Sequence, residues 1–547
     1  MGMRITNGIM NSNARTHIMT NKEYADRMNT IVATGQKITR PSDDPVIAIR
    51  NLRLNSNIDE LTQFKTRNIP DADAWLKTTG TALDETYKVL ESIRGNLTTG
   101  ASDQNTAEDR AKIMDNLSAL RDQIYAFSNA DYAGRTVFTG YRTGETMTYM
   151  ESDESTKYSI YQTFDTSSVD KFSYISGDFN VFDNDGNLTK LNTATDTDGV
   201  NKVKYNDVYR IRLAYDNLDG KDGDSAGSIT VYNSKDPVKN ADGSIKKDAN
   251  GNPIYNTLTA TPFPVTIKKL TGVQADDDKL YTEVPSGGAY LIADTGELIL
   301  GKDAQTAMQT DGAVFGFKYD KTSFRTGDLR PEHYFSCQAK NSVDGTTVDY
   351  NQYGDLGSRT VLPNDPFKNQ KITYEVAFNQ TLEINTNAGD VFKHDIGRDV
   401  DELMNATQAV IDVEAKLAKI EELQKNENYS DEESRKKLEV LHTAATKECD
   451  YLKERMQKMF SEALTSFDGY MDAVNLANSK VGSMEQRLEL TKERVVEQLE
   501  NFKELSDENI NVDLTESAID LKSAQLALEA AQTATAKIAQ QTLLNYI

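Results

Sequence analysis

Hydrophobic residues recur with two different periods along this chain, and the change of period divides it into helical flanks and a middle region. In the first flank Leu76, Leu83, Leu90 and Leu97 return every seven residues, with Tyr87 and Ile93 between them. Ile113, Leu117, Leu120, Ile124 and Phe127 then step by four and three. In the second flank Leu403, Ala406, Val410, Val413, Leu417 and Ile420 alternate three and four, and Leu438, Leu441, Ala445, Cys449, Leu452 and Met456 take up the stripe again. Phe467, Val474, Val481, Leu488, Val495 and Phe502 complete a strict heptad. A period near 3.5 means long helices that each bury one narrow seam against a helical partner. The polar stretch from Asn426 to Lys437 is expected to be the turn of a helical hairpin.

Between the flanks the period shortens. Asp-Gly pairs at 185–186, 198–199, 219–220, 222–223, 242–243, 311–312 and 344–345, with Asn250-Gly251, mark tight turns that need positive φ. Short alternating runs lie among them, such as Asp207 to Tyr215 and Ile372 to Phe378, so this part is expected to be built from β-hairpins. Proline and glycine agree. Eight of eleven prolines fall between Pro237 and Pro366, and 20 of 32 glycines lie between residues 145 and 396. Long helices avoid both residue types.

The fold class expected is therefore α+β and multidomain: a long, coiled-coil-like helical frame drawn from both chain ends, with a β-rich region inserted in its middle. The expected divisions are an N-terminal helix over 1–40 that pairs with 507–547, frame segments over 41–145 and 396–506, and the β-rich insert over 146–395. At 547 residues several domains are anticipated.

The end helices carry stripes of their own: Ile18, Tyr24, Ala25, Met28 and Ile31 at one end, and Leu521, Ala524, Leu528, Ala531, Ile538 and Leu543 at the other. A single such helix is marginal in water, so each needs a partner. Two can pair within a subunit and leave apolar surface for neighbouring copies. Ile5, Ile18, Met28, Ile31, Leu521, Leu528, Ile538, Leu543 and Leu544 are the residues expected at an assembly interface.

Charge and candidate chemistry narrow the function further. With 61 basic and 85 acidic side chains the net charge is −24, which repels phosphate backbones and anionic lipid. Neither nucleic acid nor membrane is expected as a partner. Cys337 and Cys449 are the two cysteines and form no CxxC pair; Cys449 falls on an apolar stripe, where a buried small hydrophobe is the plain reading. His17, His333, His394 and His442 show no ligand spacing, so no metal site, triad or cofactor is expected. Asp183-Asn-Asp185-Gly186-Asn187 and Asp222-Gly-Asp224 lack the full ligand set of a calcium loop and read as turns. In Pro41-Ser42-Asp43-Asp44-Pro45 the adjacent carboxylates do not converge on one reacting atom. Ser42, Asp43 and Asp44 are expected to cap the helix that Pro45 begins. No catalytic residue is assigned, and the chain is expected not to be an enzyme.

Several stretches, in order, resemble the flagellin superfamily: Met3-Arg-Ile-Thr-Asn7, Thr34-Gly-Gln-Lys-Ile-Thr-Arg-Pro-Ser-Asp-Asp-Pro45, Gly134-Arg-Thr-Val-Phe-Thr-Gly140, Arg398 to Leu403, Lys480 to Ser483 with Arg487 to Leu490, and Gln540 to Ile547. Proline on both sides of Ser-Asp-Asp looks most like the hook–filament junction subunits, the third hook-associated proteins. The resemblance covers about residues 3–145 and 396–547. It implies a structural flagellar subunit that packs with itself in a ring or tubular layer, with another hook-associated protein on the hook side, flagellin on the filament side and an export chaperone beforehand. It also implies an extracellular place at the hook–filament junction, reached without a cleaved signal peptide. Filament flagellin is the alternative of the same class. A coiled-coil surface binding protein with a β-rich ligand module is the alternative of another, and an enzyme housed in the insert would need a clustered polar site that the residues do not display.

Overall fold

The computed structural model describes residues 7–102, 105–176, 203–247, 253–350 and 370–544. The chain forms two compact units.

The first unit holds residues 1–73, 374–382 and 486–547. Helix α1 (Asn7–Thr34) lies antiparallel to the C-terminal helix α10 (Leu514–Leu544), and the Asn21 amide donates to the Ala527 carbonyl across them at 3.4 Å. α1 stops at Gly35, whose φ of +70° lets its N–H return to the Ile31 carbonyl at 2.8 Å. Such a left-handed residue closes helices because only glycine adopts it without steric cost. Helix α2 (Pro45–Gln63) runs into one π-helical turn, Phe64–Asn68, before α3 (Ile69–Gly100) begins. That turn delivers Phe64 edge-on to Phe378, ring centroids 5.7 Å apart, and the Asn68 amide to the Glu375 carbonyl at 2.8 Å.

The second unit holds residues 74–373 and 383–485, with an antiparallel helical bundle and a β-sandwich. Within it α3, α4 (Ala107–Ser128), α8 (Asp395–Lys425) and part of α9 (Glu432–Ile510) supply the bundle. Leu76, Leu83, Leu90 and Leu97 are wholly buried, as are Phe467, Val474 and Val481 of α9. The heptad read from the sequence is thus the bundle's core. Asp84 meets Asn478 and Arg94 meets Asp468, both at 2.6 Å, fixing α3 and α9 antiparallel. Gly100 lets the Phe460 ring against α3; a Cβ there would run into that ring. Arg110 of α4 is buried and forks onto Glu414 of α8 at 2.9 and 2.8 Å, and Lys453 of α9 reaches the same carboxylate at 2.8 Å. The hairpin turn is shorter than expected: α8 ends at Lys425 and α9 starts at Glu432, with Asp431 accepting from the Ser434 amide.

After α4 a two-residue turn, Ala133-Gly134, joins β1 (Asp131–Tyr132) to β2 (Arg135–Thr136), both turn residues having positive φ. The sandwich follows, from β3 (Thr156–Asp165) to β14 (Thr347–Asp349). Between these lie β4 (Val169–Ser176), β5 (Lys204–Arg212), β6 (Ser225–Ile229), β7 (Val231–Pro237), β8 (Tyr255–Thr257), β9 (Phe263–Lys268), β10 (Ala289–Ile292), β11 (Glu297–Leu300), β12 (Ala313–Lys321) and β13 (Ser336–Asn341), with short helices α5 (Gln274–Thr282) and α6 (Lys302–Met308). One six-stranded sheet has the order β4-β5-β11-β10-β9-β6 and the other β14-β13-β3-β12-β7-β8. Ile160, Phe315 and Cys337 from one sheet share a single core with Ile211, Val265 and Leu298 from the other. Hairpins alone do not build this region: β9 and β10 pair in parallel, and α5 makes the crossover that a parallel pair requires. The glycines of the Asp-Gly pairs at 220, 223, 243, 312 and 345 have positive φ; those at 185–186 and 198–199, and Asn250-Gly251, lie outside the described residues. A last hairpin, β15 (Thr373–Ala377) and β16 (Gln380–Glu383), and a four-residue turn of helix, α7 (Ala388–Val391), lead into α8.

Candidate assembly surface

The first unit is organised around the pairing of α1 and α10 and the turn that follows α1. Gln36 bridges Asn511, the Lys37 amide donates to the Ile510 carbonyl at 2.7 Å, and the Val512 amide donates to Gly35 at 3.0 Å. The Lys37 ammonium adds a bond to the Glu508 carbonyl, a basic group where the helix end gathers partial negative charge. The acidic turn then does two jobs. Asp43 accepts from the Thr39 and Arg40 amides at 3.1 and 2.9 Å and from the Thr39 hydroxyl, and these bonds, those from Arg40 and Thr39 amides first, hold its carboxyl below the usual carboxylate range. Asp44 is the N-cap of α2, accepting from Val46 and Ile47 at 2.9 and 3.2 Å, with Pro45 at the first helical position. Ser42 belongs to the turn before it and is exposed. On α2, Ile47 and Asn51 then receive Asn509 and Ser506 of α9.

Of the residues singled out for an interface, Ile18, Met28, Ile31, Leu521 and Leu528 are half-buried along the α1–α10 pair, beside the buried Ala14 and Ala524. They form the seam within the subunit. Ile5 lies outside the described residues, and the side chains of Ile538, Leu543 and Leu544 lie outside the described ones. What the residue pattern did not bring out is a second set of apolar side chains. Ile519 and Leu526, seven residues apart, stand on the side of α10 away from Leu521, Ala524 and Leu528, and are 62% and 56% exposed. Met19 on α1 is 60% exposed, and Val46, Ile49 and Leu52 make an exposed row on α2. Exposed single hydrophobics are ordinary, but sets on α2 and α10, with Met19 on α1, mark a surface made to be covered. The signal in the sequence was weak, because Ile519 and Leu526 are only a pair beside the stronger stripe of Leu521, Ala524 and Leu528.

The other sequence candidates take structural places. Cys337 and Cys449 are both buried, and burial pushes both thiols up, away from the reactive thiolate. The Asp222–Asp224 stretch is a turn: the Gly223 amide donates to Ile267 at 2.9 Å, and Asp222 accepts from Lys269. The segment from Asp183 to Asn187 lies outside the described residues. Among the described residues, no helix is long and apolar enough to cross a membrane.

Residues 5–143 match the bacterial flagellin N-terminal helical region, and residues 464–547 match the bacterial flagellin C-terminal helical region. A flagellin from Clostridium tyrobutyricum is 28% identical over 127 residues, which is 23% of this chain and 33% of that protein. Flagellar hook-associated protein 3 of Escherichia coli (strain K12) is 30% identical over 159 residues, 28% of this chain and 44% of that protein. The matches thus span between a third and a half of these relatives' own length. A solved structure of a putative flagellar hook-associated protein from Vibrio parahaemolyticus overlays on 86% of this chain and all of that one, at 12% identity and a TM-score of 0.33.

Proposed function

From a chain whose two ends match the bacterial flagellin helical regions, we propose a structural subunit of the bacterial flagellum that joins hook to filament. The observation that carries this reading is the pairing of α1 with α10, each of which also turns apolar side chains outward. Met19, Ile519 and Leu526 have no work in holding the pair together. In a tubular layer, they pack against the corresponding helices of neighbouring copies. The rigid turn from Gly35 to Pro45, closed by Asp43 and Asp44, sets the direction in which α2 leaves the pair.

The junction reading, as against filament flagellin, rests on the proline-flanked Ser42-Asp43-Asp44 turn and on the similarity to hook-associated protein 3. A junction subunit meets a different protein on each side: another hook-associated protein below and flagellin above. Such contacts end growth at a short layer, whereas a head-to-tail contact with itself would continue as a filament. The β-sandwich is the part of the subunit left free of these contacts, and the acidic surface keeps the exported chain soluble until it is placed. A chaperone covers the end helices before export. No catalytic role enters the proposal. Labelling the protein on intact cells tests it. A few copies at the distal end of the hook, with hooks lacking filaments when the gene is deleted, is the expected result; label along the whole filament would replace the junction reading by flagellin.

A further inference from the structure

Apart from the helical ends, the second unit carries a cluster of side chains that the assembly does not use. Glu145, Glu332 and His333 each place one donor atom within 4.8 Å of the other two. They come from two loops far apart in sequence. Glu145 follows the β1–β2 hairpin, while Glu332 and His333 sit in a 3₁₀ turn, Pro331–His333, after β12. Backbone bonds hold the loops together: Arg330 N–H to the Met147 carbonyl and Tyr149 N–H to the Asp328 carbonyl, both at 2.9 Å.

The three donors are short of partners. Glu145 Oε2, Glu332 Oε2 and His333 Nδ1 are all buried without a hydrogen bond, although Glu332 is 3% exposed and His333 wholly buried. Buried polar atoms of native proteins are nearly always satisfied, so three in one place call for a ligand. The tautomer of His333 is settled by its other nitrogen. Nε2 lies 3.1 Å from the Thr146 carbonyl, which can only accept, so Nε2 carries the proton and Nδ1 presents a bare lone pair. A ring N–H held by a backbone carbonyl is how metal-binding imidazoles are oriented. A single proton shared between two of the atoms would leave the third bare; a cation satisfies all three.

We propose that Glu145, Glu332 and His333 bind a divalent transition-metal ion, of the zinc kind, that clips the loop after the first helical segment to the β-sandwich. Two carboxylate oxygens and one imidazole nitrogen are a donor set that Zn²⁺ accepts, with water completing the shell. Cations nearby moderate the affinity. Arg330 pairs with Glu332 Oε1 at 3.3 Å and stands 4.0 Å from Glu145 Oε2, and Arg142 donates to the Glu332 carbonyl at 2.7 Å. Arg330 already offsets one carboxylate, which weakens the hold on a cation.

The test uses the full chain, stripped with a chelator and equilibrated with Zn²⁺, Mn²⁺ or Ca²⁺ in parallel. One Zn²⁺ per chain should survive gel filtration and raise the melting temperature by several degrees, with smaller shifts from Mn²⁺ and least from Ca²⁺. Co²⁺ in place of zinc should give the visible absorption of a low-symmetry four- or five-coordinate site. Glu145→Gln, on a half-exposed side chain whose loss leaves the fold intact, should abolish retention at least tenfold. Glu332→Gln should do the same if it folds. Absence of bound Zn²⁺ in the wild-type chain, or equal retention by Glu145→Gln, would overturn the assignment.

Discussion

Replacing Ile519 and Leu526 together by glutamine separates folding from assembly. Both side chains already face solvent in the subunit, at 62% and 56% exposure, so the α1–α10 pair loses almost nothing. Glutamine is a good helix former, which keeps α10 intact. The cost appears only when neighbours cover this face. Burying a full isoleucine or leucine side chain is worth roughly 1.5–3 kcal/mol, and a little over half of each remains to be buried. The pair therefore contributes about 3 kcal/mol per contact, roughly a hundredfold in association. Circular dichroism melts should overlay for variant and wild type. Attachment of the purified chain to isolated hooks, followed by sedimentation, should need about a hundredfold more of the variant. Equal attachment at equal concentration would refute the reasoning, because the outward face of α10 would then lie outside the contact. A lowered melting point would mean instead that the two side chains serve the fold.

Three further outcomes follow from the packing. Leu83→Ala empties a wholly buried seam position of α3 and should cost about 3 kcal/mol in denaturant unfolding. Gly35→Val places a β-branched residue at φ +70° with no atom near its Cβ, so the cost is torsional, about 1–2 kcal/mol, and should appear as faster hydrogen exchange at the end of α1. Glu414→Gln strands the buried Arg110 and should cost about 2 kcal/mol at neutral pH. Burial alone would raise the Glu414 carboxyl, but Lys453 and Arg110 lower it below 4.5. A depressed carboxylate stabilises above its unfolded value, so the difference between wild type and variant should shrink as pH falls below about 4.5 through the folded value. A difference that is the same at pH 7 and pH 3 would show that the ion pair is not its source.

The helical core was legible in the sequence because a heptad is a local signal that repeats. Leu76 to Leu97 and Phe467 to Val481 need only their own spacing to declare a seam. Turn chemistry was equally local, and each described Asp-Gly glycine of the middle region has the positive φ its neighbour sequence implied. Pairing is another matter. The parallel β9–β10 contact depends on where α5 sends the chain, and nothing in either strand announces it. The second face of α10 escaped because Ile519 and Leu526 are a pair seven apart beside a stronger stripe. The His333 cluster escaped because its third member comes from a distant loop that only the fold brings near.

Electron microscopy of the purified chain, alone and after seeding with its own aggregates, tests the junction proposal most directly. Filament and junction subunits share paired end helices, so helix content and self-association do not tell them apart; the upper and lower neighbours do. A junction subunit should give at most short rings or layers alone, and continuous filaments only when flagellin is added. Micrometre-long tubes of this chain by itself would contradict the account.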